Sequence, residues 1–211
     1  MSRILAALLT CAFFKGSFAQ QEALARLDSL LANVDSLTAD VVQLIVESDG
    51  GILEESSIKM LLKKPNGFYW ETITPYQELI VTNGIKLWNY QPDLEQVVIE
   101  DWDVSKSELA AQLLSGKTEN LDSEYIIEEL SDTSNDSQQF VLTPVDADSI
   151  YTRISINFIT SELDLIYLNS RNGQQTVWRF DAIERNQILE DSLFNFQPPA
   201  GIEVIENIYV Q

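Results

Sequence analysis

The stretch Lys63-Lys64-Pro65-Asn66-Gly67-Phe68-Tyr69-Trp70 decides how the rest of the chain is read. Pro65 lacks the N–H that a sheet ladder needs and Gly67 is free to take positive φ. One strand therefore ends near Lys64 and another begins near Phe68. Two cations stand at a strand end in a chain with 13 Lys and Arg against 33 Asp and Glu. They read either as a solvated terminus that discourages edge pairing or as the mouth of a cavity behind the aromatic strand.

Working outward, the same grammar repeats. Asp49-Gly50-Gly51 is a hairpin turn between runs rich in β-branched and apolar residues at 41–48 and 52–62. Strands at 68–73 and 78–82 flank Pro75; Asn83-Gly84 turns the chain into 85–90, and a further strand follows at 96–102. After a gap come 125–130, 139–143 closed by Pro144, a hairpin of 151–159 and 163–168, and 175–184 entered through Asn172-Gly173. An apolar run at 202–210 ends the chain. No crossover helices separate these strands, which predicts an antiparallel meander in an α+β fold.

Two helices are expected around it. From Gln21 the residues Leu24, Leu27, Leu31 and Val34 share a stripe, widened by Ala23 and Leu30. A second helix starts at the capping box Ser105 to Glu108, carries Leu109, Leu113 and Leu114, and stops at Gly116.

The first nineteen residues read as an export signal: Arg3, then an apolar run over 4–14 too short to span a bilayer, then Ser17-Phe18-Ala19 with small residues where a signal peptidase cuts. Cleavage after Ala19 leaves residues 20–211 as one domain, soluble beyond the inner membrane. The signal removes the sole cysteine, Cys11, and the chain has no histidine. Ser-His and Cys-His catalysis, redox dithiols and imidazole or thiolate metal sites are thereby excluded, and no Asp-rich stretch has the spacing of a Ca²⁺ loop. A carboxylate-pair glycosidase has no marked pair. We expect no enzyme, no metal and no cofactor. Loss of Arg3 and Lys15, with no acid lost, takes the formal charge from −20 to −22. Phosphate backbones and anionic headgroups repel such a molecule, and the charge favours a monomer.

About ten or eleven strands in one twisted sheet curl toward a barrel. Its apolar strand residues include Phe68, Trp70, Ile73, Ile80, Leu87, Trp88, Tyr90, Phe140, Leu142, Ile154, Ile156 and Phe158. The Leu-rich helices either fill the curl as ordinary core or lie over it as lids on a ligand cavity, and periodicity does not distinguish the two.

Taken in order, Lys63-Lys64-Pro65-Asn66 with Phe68 and Trp70, then Pro75, Val81, Asn83-Gly84, Leu87-Trp88, Tyr90, Pro92 and Glu95-Gln96, then Phe140-Val141-Leu142-Thr143-Pro144, and finally Phe194, Phe196, Pro198-Pro199 and Gly201 make a chain that resembles the periplasmic outer-membrane lipoprotein carrier family, LolA. The resemblance implies an unclosed antiparallel β half-barrel with short amphipathic helices as a lid over an apolar cavity. It implies a carrier that accepts triacylated lipoproteins from an inner-membrane ABC transporter and delivers them to an outer-membrane receptor lipoprotein, without covalent chemistry. On that reading Lys64, Phe68, Trp70, Ile80, Leu87, Trp88, Tyr90, Phe140 and Leu142 line the acyl-chain cavity and its mouth. Leu24, Leu27, Leu31, Leu109, Leu113 and Leu114 form the lid. A conserved arginine linked to the closed form occupies the place of Lys64 in the family; lysine keeps the charge and loses the planar fork. The rival is a lipid-binding sensor or storage protein of the same fold, which calls for a second domain or a lipid anchor.

Overall fold

A computed structural model of the chain describes residues 5–32, 34–102, 121–132 and 136–207. Helix α1 (Leu5–Ala32) leads into strands β1 (Ser36–Val46), β2 (Ile52–Lys63), β3 (Gly67–Thr74), β4 (Glu78–Thr82), β5 (Lys86–Gln91) and β6 (Gln96–Asp101). A single turn of helix, α2 (Leu121–Glu124), precedes β7 (Tyr125–Asp132), β8 (Ser137–Pro144), β9 (Tyr151–Ile159), β10 (Glu162–Ser170) and β11 (Gln175–Arg185); β12 (Glu203–Asn207) comes last. The helix expected over 105–116, with Leu109, Leu113 and Leu114, lies outside the described residues.

The strands form one sheet in the order β12-β6-β5-β4-β3-β2-β1-β11-β10-β9-β8-β7. It consists of two antiparallel meanders, β1–β6 and β7–β11, joined by the antiparallel pairing of β1 with β11. The end strands β12 and β7 do not pair with each other, so the sheet stays unclosed. The turns act as their sequences demand: Gly50, Gly84 and Gly173 all have positive φ. At Gly84 a side chain is excluded twice over, because a Cβ there would meet Asn66 at 2.3 Å.

Two expectations change. The described residues give the sheet twelve strands, since the apolar tail contributes β12, and β12 runs parallel to β6 because the chain crosses the sheet before pairing. Strand β1 begins at Ser36, ahead of the expected residue 41, because Leu37, Ala39 and Val41 already alternate onto the buried face.

Each face of the sheet carries its own apolar cluster. On the inner face, Ala23, Leu27 and Leu31 of α1 pack among Met60, Leu62, Trp70, Phe140, Leu142, Ile154, Ile156, Phe158, Trp178 and Phe180. On the outer face, the segment after β11 lays Phe194 and Phe196 against Leu61, Tyr69, Leu79, Val81 and Trp88.

Candidate functional site

Cross-strand register assigns the predicted site residues to faces, since directly opposed residues point the same way. One inner row runs Leu62, Phe68, Thr82, Leu87, Glu100 across β2 to β6, and the next runs Met60, Trp70, Ile80, Asn89, Val98. The row between them, Leu61, Tyr69, Val81, Trp88, Ile99, faces outward. Phe68, Trp70, Ile80 and Leu87 thus share the inner face, where Phe140 and Leu142 of β8 join the same cluster. Trp88 and Tyr90 do not. Trp88 belongs to the outer cluster, and Tyr90 stacks on Phe196 of the tail with ring centroids 5.1 Å apart.

The inner aromatics are ordered by one another. Phe68 stacks on Trp70 at 6.0 Å, Trp70 meets Trp178 edge-on at 5.7 Å, and Phe140 meets Phe158 edge-on at 5.9 Å. Trp178 is not among the residues predicted for the site. Its signal is present in β11, where Trp178 and Phe180 alternate with Arg179 and Asp181. The Trp178 indole donates to Gln43 Oε1 at 2.7 Å, so its polar edge is satisfied inside the core.

The inner face is not uniform. Beneath α1 it is sealed: Leu27, Met60, Phe140, Leu142 and Ile154 have no exposed surface. Toward β4–β6 it loosens, and Phe68, Ile80, Leu87, Asn89 and Val98 are only half-buried. Helix α1 lies on the cluster with Leu27 and Leu31 buried and Leu24 half-buried.

Polar ties hold α1 at its rim. Lys64 Nζ donates to Leu31 O at 2.9 Å, satisfying one of the last carbonyls of the helix and placing a cation at the negative end of its dipole. The Lys64 backbone N–H donates to Asp35 O at 2.8 Å, which fixes the strand end against the helix exit. Burial holds the Lys64 ammonium below its ordinary pKa, with the Asp35 carboxylate pulling the other way. On the far side Arg26 pairs with Glu129 of β7 at 3.4 Å, and Gln20 Nε2 donates to Tyr125 O at 3.4 Å. The Arg26 side of the pair is solvated, so it contributes about 1 kcal/mol. Each fully buried Leu or Phe contributes about 1.5–3 kcal/mol, so the apolar stripe outweighs the ties. A non-directional contact of that kind is exchangeable: another hydrocarbon surface can take its place at little net cost.

The profile of the family described as "Outer membrane lipoprotein carrier protein LolA" matches residues 32–197. The chain belongs to the LolA family. Among relatives named outer-membrane lipoprotein carrier protein, that of Chromohalobacter salexigens is 36% identical over 180 residues, covering 85% of each chain. That of Hahella chejuensis is 34% identical over 179 residues, covering 85% of this chain and 86% of its own. That of Pseudomonas putida strain KT2440 is 31% identical over 207 residues, covering 97% and 99%. A conserved protein of Thermus thermophilus, 14% identical, has a crystal structure that superposes with a TM-score of 0.56 over 89% of this chain and 98% of its own. It shares the fold. The open, mostly antiparallel sheet with few helices is the α+β half-barrel of the LolA family.

Proposed function

We propose that this chain is a periplasmic carrier that binds the acyl chains of lipoproteins released from an inner-membrane ABC transporter and delivers them to an outer-membrane receptor lipoprotein. The observation that carries this reading is the apolar stripe of α1 seated on the aromatic inner face and tied at its end by Lys64. It has the form of a closed lid whose contacts an acyl chain can replace. The names of the relatives agree with it. In this reading residues 1–19 are the export signal, cut after Ala19, and 20–211 are one carrier domain. Lys64, Phe68, Trp70, Ile80, Leu87, Phe140 and Leu142 contact or guard the cargo; Leu24, Leu27 and Leu31 close over it, with Leu109, Leu113 and Leu114 assigned to a second lid by sequence alone.

Each methylene withdrawn from water contributes about 0.8 kcal/mol, so three long chains give on the order of tens of kcal/mol in gross terms. Cargo held that tightly does not leave into water. It moves between apolar environments, with the lid opening against a partner that favours the open state. No bond is made or broken.

The test is twofold. The native protein, purified from the periplasm, is expected to carry lipoproteins whose acylated N-termini mass spectrometry identifies, and its depletion is expected to strand outer-membrane lipoproteins on the inner membrane. Normal sorting after depletion, with no second copy substituting, refutes the carrier role. Phe68→Glu places a charge on the half-buried inner face and is expected to abolish loading while the circular dichroism spectrum stays native.

A further inference from the structure

The looser wing of the inner face holds two buried polar atoms that no described residue pairs. Asn89 Oδ1 and Trp102 Nε1 are both shut off from solvent, and neither has a hydrogen-bond partner among the described residues. Both sit on the β5–β6 pair. Asn89 stands opposite Val98 in the inner row with Ile80 and Trp70. Trp102 continues the ladder past β6, its backbone N–H donating to Ile85 O at 2.9 Å, and lies two residues beyond inner-facing Glu100. Glu100, between them in register, is engaged: its Oε1 accepts from Asn207 Nδ2 at 2.9 Å.

The indole of Trp178, buried on the same face, has its acceptor in Gln43 Oε1. Leaving a buried donor and a buried acceptor unmatched lowers stability and gives the empty protein nothing in return. We propose that Asn89 and Trp102 form a polar subsite for the acyl linkages of the cargo. Trp102 Nε1 donates to an ester or amide carbonyl, and Asn89 Oδ1 accepts the N–H of the N-acyl amide. This rests on the carrier reading and says which part of the lipid anchor the β5–β6 wing takes. Hydrocarbon tails offer no hydrogen bond. A phosphate headgroup is the wrong partner, because Glu100, between the two atoms in register, sets a carboxylate beside them. Trp102 is level with Ile85, four residues before Asn89 and about 13 Å of strand away, so the two engage different linkages of one anchor.

The experiment measures displacement of the dye bis-ANS from the full chain by two probes: a synthetic tripalmitoyl-S-glyceryl-cysteinyl peptide, and n-hexadecane, which has the hydrocarbon and no linkage. Asn89→Leu and Trp102→Phe are each expected to weaken the lipopeptide about tenfold while leaving hexadecane within about twofold, with a thermal midpoint equal to or above the parent's. An unchanged lipopeptide affinity in both variants overturns the subsite and leaves the carrier reading standing. An equal loss for both probes, or a lowered thermal midpoint with it, assigns the two side chains to structure and also overturns it. A parent protein from which neither probe displaces dye overturns the carrier reading itself.

Discussion

Lys63 and Lys64 are neighbours in sequence and belong to opposite sides of the molecule. Lys63 faces outward, where its ammonium donates to Leu189 O and pairs with Asp191, pinning the tail segment that carries Phe194. Lys64, at the strand end, ties the end of α1 instead. Each face of the sheet is thus covered by a chain terminus held by one lysine and one apolar cluster. The coverings differ in kind. The outer one is tight and shape-specific: a Cβ on Gly67 would meet Phe194 at 3.0 Å, and Asn83 Nδ2 donates to Asn195 Oδ1 at 2.8 Å. The inner one is a smooth leucine stripe on aromatic side chains, with its polar ties at the rim among the described residues. A directional cover is a staple, while a smooth one can be exchanged for lipid.

The largest effects should separate the two covers. Phe194→Ala empties a buried aromatic site and is expected to cost about 3–5 kcal/mol in urea unfolding, with lipopeptide binding by the folded protein unaltered. Leu27→Ala removes a buried leucine and costs about 2–4 kcal/mol if α1 unfolds with the sheet. If α1 instead opens by itself, the sheet keeps its midpoint, and the loss appears as raised bis-ANS fluorescence of the native state. Equal responses to both substitutions in both measurements would erase the distinction between staple and lid.

A smaller effect comes from Tyr69 on the outer face. Its hydroxyl donates to Glu71 Oε2 at 2.8 Å, and burial first, then that hydrogen bond and the Glu71 charge, push the phenol above its ordinary pKa. Above about pH 10 the unfolded chain releases this proton while the folded chain retains it, so the contribution is complete at neutral pH and declines as pH rises past that point. Tyr69→Phe is expected to cost about 0.5–1.5 kcal/mol at pH 7 and to flatten the alkaline fall in thermal midpoint, with no effect on cargo. An unchanged alkaline limb would remove Tyr69 from that linkage.

How much of this is readable beforehand follows from the same contrast between faces. The turns are legible because Gly50, Gly84 and Gly173 occupy backbone conformations that few other residues take, and they bracket the strands without tertiary knowledge. The inner stripe of α1 is legible from its spacing. Leu87-Trp88 reads in sequence as a pair of lining residues, although adjacent strand positions cannot share a face; period two separates Trp88 and Tyr90 from Leu87 and Asn89. Which set faces inward is not legible, because both faces here are apolar, and the usual contrast of apolar against polar vanishes wherever a tail covers the outside. Asn89 escapes notice for the same reason: its neighbours mark it as an ordinary polar strand residue until the register turns it inward.

The finest prediction concerns Lys64 itself. One ammonium reaches one carbonyl, Leu31 O, while the last turn of a helix leaves several carbonyls free. A guanidinium at that position offers a planar fork able to reach two of them, so Lys64→Arg is expected to hold α1 closed more firmly, slow bis-ANS uptake about two- to fivefold and leave the urea midpoint of the sheet unchanged. The pH dependence gives an independent reading. Because burial holds the Lys64 pKa below its ordinary value of 10.5, the folded state bears a desolvation cost that disappears as pH rises through the lowered value, and the parent should gain stability in the window just below 10.5. Arginine does not titrate there, so that gain should vanish in the variant. Faster dye uptake in Lys64→Arg would mean that the rim tie depends on the compactness of the ammonium, and the ranking of fork over point charge at this helix end would have to be reversed.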